Sequence, residues 1–299
     1  MKNTTLLVLA ILFCGTLAAQ SFYSIKRDRK FIGSIGTGVS SYFGDLNNPS
    51  DIIDAKLNLN FGLQYFLTER ISVRSEVTWF QLSGNDATAN FEGRNNRNLS
   101  FVSNNYEINV EGIINLFPKG QRFYQRNLFN VYAFIGIGLA NYNPRGEVPN
   151  IEYTTGSLLP DAGKTVALRP LQTEGVKYGS FTPVIPMGLG VKVKAGPFFN
   201  IALEGGFRKT FTDYLDDVST VYVDKSGASD LEAAMSDKKW AIDQPIATPG
   251  SKRGNPENDD AYFIANIKLE YFLPSTFLSG KNKKRRPGAK KYRRRVKRR

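Results

Sequence analysis

The stretch Tyr106-Glu107-Ile108-Asn109-Val110-Glu111-Gly112-Ile113-Ile114-Asn115-Leu116 alternates apolar and polar residues, with two carboxylates on the polar side. A period of two places Tyr106, Ile108, Val110, Gly112, Ile114 and Leu116 on one face of a β-strand and Glu107, Asn109, Glu111, Ile113 and Asn115 on the other. The same pattern recurs at Leu57–Leu67, Ile71–Trp79, Phe199–Phe207 and Ala261–Tyr271. Three weaker segments behave alike: Gly-rich Phe31–Phe43, Asn130–Tyr142, and Thr182–Lys194, whose Pro183 and Pro186 place its start near a rim. Together these are eight candidate strands.

The connections alternate in length. Short ones fall at Thr68-Glu69, 118–128 and 195–198; long ones fall at 44–56, 84–98, 143–180 and 215–260. Short turns at one end and long loops at the other are the pattern of an outer-membrane barrel, and an even number of strands returns both termini to the short-turn, periplasmic side. Alternation by itself does not say which face is outside. A soluble sandwich or lipocalin-like barrel would point the apolar face inward. An export leader favours the membrane, as do uncharged central positions on the apolar faces. The polar faces carry Arg74, Lys192, Lys194, Arg208 and Lys268 against Glu76, Glu107, Glu111, Glu204 and Glu270. Five of each sign suits an ion-paired interior. Phe43, Tyr65, Trp79, Phe117, Tyr142, Phe211, Tyr271 and Phe272 are placed to form interfacial girdles. The expected fold is all-β: an eight-stranded antiparallel transmembrane β-barrel with long extracellular loops. Eight strands leave room for side chains but not for an aqueous channel, so no porin activity is expected.

Composition narrows the chemistry. The 299 residues hold 40 Lys+Arg, 27 Asp+Glu, one Cys and no His. Without His, no Ser-His-Asp triad, His-based acid/base pair or His-ligated zinc can form, and Cys14 alone makes neither a disulfide nor a thiolate cage. Residues 1–19 read as a secretory signal: Lys2, an apolar run from Leu6 to Cys14, and a small-residue exit ending at Ala18-Ala19. No later run is long and apolar enough for a spanning helix. The expected organisation is a signal peptide over 1–19, a barrel over 20–280 and a basic tail over 281–299.

The net charge of +13 is local. Lys281, Lys283, Lys284, Arg285 and Arg286 form one basic block; Lys290, Lys291, Arg293, Arg294, Arg295, Lys297, Arg298 and Arg299 form a second, and no acid accompanies them. The remainder has 27 basic and 27 acidic residues. Such a tail reads either as a solubilising extension without core-forming residues or as an electrostatic anchor. At about 1 kcal/mol per basic residue near an anionic surface, several contacts suffice for anchoring. Its expected partners are an acidic protein surface, anionic headgroups or an anionic wall polymer. Export and sparse aromatic interleaving argue against nucleic acid.

Asp213, Asp216 and Asp217 place three carboxylates within five residues at a loop rim. A hard cation would accept such oxygens, but the calcium-loop pattern is missing, and a rim that caps the loop and pairs with Arg or Lys is the expected role. Gly36-Thr37-Gly38 and Gly188-Leu189-Gly190 are not followed by a helix, so they do not form phosphate loops. Alternate glycines instead relieve crowding in a narrow barrel. Residues 168–175, with Thr173 and Glu174, are expected to be ordered over the mouth or against a partner, and Leu231–Trp240 to form a short helix. No reactive constellation or cofactor motif is present, and no metal, cofactor or enzymatic activity is expected.

Several motifs occur in order: Phe43-Gly44-Asp45-Leu46, Leu168-Arg169-Pro170-Leu171-Gln172-Thr173-Glu174-Gly175, Pro186-Met187-Gly188-Leu189-Gly190-Val191-Lys192, Phe207–Asp217, Arg253-Gly254-Asn255-Pro256, Asn258-Asp259 and Tyr262-Phe263. In these the chain resembles the PorG-like outer-membrane β-barrel family of Bacteroidota, whose best-known member is a component of the type IX secretion system. The resemblance covers nearly all of the expected mature body. It implies a non-enzymatic outer-membrane barrel in contact with outer-membrane lipid and with a periplasmic PorK–PorN-like ring of secretion or gliding machinery. An independent barrel whose outer loops bind an external ligand is the other expectation. No catalytic residues carry over.

Overall fold

The computed structural model describes residues 28–46, 55–89, 92–149, 159 and 161–274. The expected signal peptide and the tail cations from Lys281 to Arg299 lie outside the described residues. Ten strands form: β1 (Phe31–Phe43), β2 (Lys56–Phe66), β3 (Ile71–Asn85), β4 (Ser100–Asn115), β5 (Phe129–Asn141), β6 (Pro144–Glu147), β7 (Thr165–Ala167), β8 (Phe181–Lys194), β9 (Phe199–Thr210) and β10 (Ala261–Phe272). Eight of them close an antiparallel barrel in the order β1-β2-β3-β4-β5-β8-β9-β10, and β10 pairs back to β1. The smaller β6 and β7 belong to the third long loop, where β6 extends the outer part of β4 through Val102 and Ser103. Each barrel strand reaches or exceeds the ~9–11 residues a tilted strand needs to cross a bilayer.

The barrel is polar inside and apolar outside. Ile137 is 73% exposed and Leu203 60%, while Arg74, Glu111 and Lys268 are at most 1% exposed. A water-soluble barrel would bury the first group and expose the second. This inversion establishes a transmembrane barrel, because only lipid makes that apolar exterior favourable. On the adjacent strands β3 and β4 the apolar outward run ends at Trp79 and Tyr106, which face one another in register. Gln81 and Asn104 take the next outward places. Trp79 thus lies well inside β3, because β3 and β4 continue beyond the belt.

The interior is filled by ion pairs. The Arg74 guanidinium meets Glu111 and Glu204 (2.7 Å to the latter) and lies 3.5 Å from Glu76. Lys268 bridges Glu76 (2.6 Å) and Glu204 (2.7 Å). Arg208 pairs with Glu107 at 3.8 Å, and Tyr262 donates to the same carboxylate at 2.6 Å. Because these pairs are removed from water, each charge depends on its neighbours for compensation. Inward glycines create the room: the Phe134 ring occupies the place a Cβ on Gly188 or Gly206 would need, and the Tyr132 ring that of Gly190. Lys194 departs from the expected interior set. It is half-buried at the short-turn end and donates to the Tyr124 carbonyl at 2.7 Å.

Both ends are closed by side chains. At the short-turn end Ile32, Phe66, Phe123, Phe198 and Phe272 cluster, with Arg29 over Phe198 (4.3 Å) and Arg126 over Phe272 (4.6 Å). At the long-loop end Tyr42, Leu46, Phe80, Phe101, Tyr142, Leu168, Met235 and Tyr262 share one apolar cluster. Tyr142 and Phe272 therefore face inward and plug the barrel rather than joining a girdle. Strand parity explains this, since each follows an outward-facing residue and its ring turns inward. The helix expected over Leu231–Trp240 is shorter: α2 (Asp230–Ser236), capped by Ser229, gives way to a 3-10 turn at Lys239–Ile242, and a separate α1 (Glu92–Asn95) is a single turn.

Candidate functional site

The rim residues separated in sequence converge over the barrel's long-loop mouth. Arg253 is the hub. It is 3% exposed, and its Nη1 donates to Glu174 Oε1 (2.7 Å) and to the Asp217 carbonyl (2.6 Å), while Nε donates to the Ser236 carbonyl (3.2 Å). Glu174 also accepts from the Ser219 and Thr220 amides (2.9 Å each) and from Thr220 Oγ1 (2.7 Å). Its place is set by a turn: Gln172 is left-handed (φ 45°), Gly175 has φ 71°, and the Gly175 amide donates to the Gln172 carbonyl. A side chain at Gly175 would be strained there. Asp217, also left-handed at φ 70°, accepts from Thr173 Oγ1 and the Tyr178 hydroxyl (2.5 Å each) and lies 3.7 Å from Arg253.

Arg97 forms a second hub. It pairs with Asp86 (2.6 Å) and donates to the carbonyls of Arg253 (2.6 Å) and Asp45 (2.8 Å), tying the first, second and fourth long loops together. The Asp45 carboxylate accepts the Asn255 amide at 2.6 Å. Below these hubs, the Tyr42 hydroxyl lies 2.7 Å from Asp216 and 2.6 Å from Asp260. One hydroxyl hydrogen cannot serve two carboxylates, so this arrangement calls for a proton on one of them. Burial drives both carboxyls well above the usual range, with the Asp216 charge adding to the rise at Asp260. Asp213 has one buried oxygen without a partner among the described residues. Burial, with Asp45, Glu174 and Asp259 nearby, pushes it up to about 7 against a lowering hydrogen bond from Ser219. Glu174 behaves oppositely. Burial would raise it, but Arg253 and the Ser219 and Thr220 donors hold it below its ordinary value.

Asp45, Thr173, Glu174, Asp213, Asp216 and Asp217 thus form one cap, which welds the loops to each other and to β1 and β10. Apart from the free oxygen of Asp213, the carboxylates are occupied by protein donors, and no acidic, His or Cys cluster among the described residues is arranged to hold a metal ion. Of the three rim carboxylates, Asp217 lies against Arg253, while Asp216 meets the Tyr42 hydroxyl. Sequence reading missed Arg97, Asp86, Tyr42, Tyr178 and Asp260 as members of the cap. Their partners lie up to 218 residues away, as in Tyr42 with Asp260, and no local periodicity reports such a pair.

Topology also resolves the balanced charge of the body. Among the described residues, the long connections (44–55, 86–99, 142–180 and 211–260) hold 17 acidic residues against 11 basic ones. At the opposite end, the short connections and the residues leading into β1 (28–30, 67–70, 116–128 and 195–198) hold Arg29, Lys30, Arg70, Lys119, Arg122 and Arg126 against Asp28 and Glu69. The body is neutral only as a sum of two unlike faces.

No protein-family model matches the sequence, and no curated protein matches it. The chain is similar to Neisserial surface protein A (7% identity, 81% of this chain and 97% of that one, TM-score 0.39). It is similar also to a major outer membrane protein from Thermus thermophilus (12% identity, 81% and 98%, TM-score 0.40) and to the N-terminal β-barrel domain of Pseudomonas aeruginosa OprF (9% identity, 82% and 98%, TM-score 0.36).

Proposed function

We propose that the chain is a non-enzymatic structural barrel of the outer membrane that anchors a type IX secretion or gliding complex. The observation that carries the structural reading is a barrel filled by ion pairs and closed at both ends, which directs function to its two faces. The long-loop end faces outward from the cell and the short-turn end faces the periplasm. The secretion assignment is supported by the ordered motifs that resemble the PorG-like family. Asp45, Glu174, the Asp213–Asp217 run and Arg253, which come from four of those motifs, meet in one cap. The basic short-turn face and the tail beyond it, from Lys281 to Arg299, are the contact for an acidic periplasmic ring of the PorK–PorN type. The test is reciprocal pull-down of the full chain and the ring proteins from envelope extracts at low salt, with and without residues 281–299. The reading expects co-purification that weakens in salt and on deletion, while heat-dependent gel mobility still reports an assembled barrel. Absence of ring proteins from the full-length pull-down removes the secretion assignment.

A further inference from the structure

The fourth long loop contains a cavity of about 490 Å³ that takes no part in the cap's ion pairs. This volume lies within the ~300–1,000 Å³ range of small-molecule sites. Its walls are apolar and aromatic: Tyr222, Val223, Trp240, Ile246 and Pro249, with Ala233 of α2 behind them. Asp224, Asp230 and Asp237 also line it, and Lys225 is the single cation among the lining residues. Lys225 is already engaged, since its Nζ donates to the Gln172 carbonyl at 2.7 Å in the neighbouring loop. Tyr222 is 4% exposed, and its hydroxyl is buried with no hydrogen-bond partner among the described residues.

We propose that this cavity binds a small organic cation carried on an apolar stem. Three observations support that chemistry. The walls offer an aliphatic and aromatic surface for a stem of about six carbons, of a kind that drug-sized ligands bury against. The lining carboxylates outnumber the lining cation, and the whole long-loop end carries the same sign, so a cation is drawn toward it and an anion repelled. The aromatic walls accept positive charge: Lys239 Nζ lies 5.1 Å from the Tyr222 ring centroid, and Trp240 is a second aromatic residue of the lining. A neutral apolar ligand would use the walls but not the charge, and an anion would meet Asp224 and Asp230. The site is independent of the anchoring role, and its test does not involve the periplasmic face.

The chain has two tryptophans, so Trp79→Phe leaves Trp240 as the sole indole reporter inside the cavity. The refolded full-length variant in detergent micelles is titrated at pH 7 with hexylamine, hexan-1-ol and hexanoate, which share a stem and differ in charge. The expected result is a saturable change in Trp240 emission with hexylamine, at least tenfold weaker binding of hexan-1-ol and none of hexanoate. Asp224→Asn combined with Asp230→Asn should weaken hexylamine at least threefold, and Ile246→Arg, at an exposed position on the cavity wall, should abolish binding by supplying the cation internally. Heat-dependent gel mobility verifies that each variant is assembled. Equal responses to all three probes, no saturable response to hexylamine, or unchanged affinity in the double carboxamide variant overturns the proposal.

Discussion

Replacing Arg253 by methionine tests whether the cap is a single cooperative structure. The substitution keeps an apolar side chain of similar length but removes the guanidinium from a site where its side chain and that of Glu174 are both at most 2% exposed. Glu174 loses its ion pair at 2.7 Å, and the carbonyls of Asp217 and Ser236 lose their donors. Breaking a buried pair from one side costs about 3–5 kcal/mol, because the remaining charge is stranded away from water. Glu174 keeps the Ser219 and Thr220 donors, which places the expected cost near the lower end, about 3 kcal/mol. At about 1.4 kcal/mol per factor of ten, that is on the order of a hundredfold. The assay is hydrogen exchange of the Ser219 and Thr220 amides, which donate directly to Glu174 and report local opening of the cap. These amides should exchange about a hundred times faster in Arg253→Met, with interior strand amides unchanged. Adding Glu174→Gln should restore much of the protection, since the stranded charge is then gone. Exchange within threefold of the parent, or no slowing on adding Glu174→Gln, would refute the reasoning.

Arg74→Leu in the barrel interior leaves Glu111 and Glu204 without their guanidinium; a loss of about 3–5 kcal/mol is expected in urea unfolding from lipid vesicles. Leu203→Arg on the lipid face, 60% exposed near the middle of β9, should cost about 2–4 kcal/mol in the same assay, although it adds a charge to a surface position. The cap should also respond to pH. Asp213, raised to about 7 in the folded cap, binds a proton there more tightly than in the opened loop, so its stabilising contribution is present in acid and is lost as pH rises from about 4 through about 7. Glu174, held low, contributes in the opposite sense: its stabilisation is present at neutral pH and is lost as pH falls below the ordinary carboxylate range. Protection of the Leu215 amide, which donates to Asp260 in the proton-sharing pair, should therefore fall between pH 5 and pH 8; a rise across that interval would contradict the raised carboxyls.

The eight strands were legible because each carries its own signal. In Tyr106–Leu116, a carboxylate or amide at nearly every second residue marks one face without reference to any other part of the chain. Connection lengths then give the meander, since a strand followed by two residues has only one place to pair. The ambiguity was in the sense of the alternation. An apolar stripe reads the same whether it faces a core or lipid, and only the closed barrel, with Arg74 buried and Ile137 exposed, distinguishes the two. Parity errors arose at strand ends for the same reason. Tyr142 and Phe272 are aromatic like girdle residues, but one step of register turns each ring into the plug.

By itself the sequence determined the all-β class, the count of eight barrel strands, the neutral body and the basic tail, all of which are properties of short windows or of composition. It also placed Asp45, Glu174 and the Asp213–Asp217 run in the turns and rim of the long loops. The tertiary structure decided that these residues share one site, that Arg253 and Arg97 hold it together, and that the balanced charge separates into an acidic loop face and a basic turn face. Those are long-range properties: a hydrogen bond between Tyr42 and Asp260, or an ion pair between Glu174 and Arg253, depends on how the barrel closes and brings its loops over one mouth.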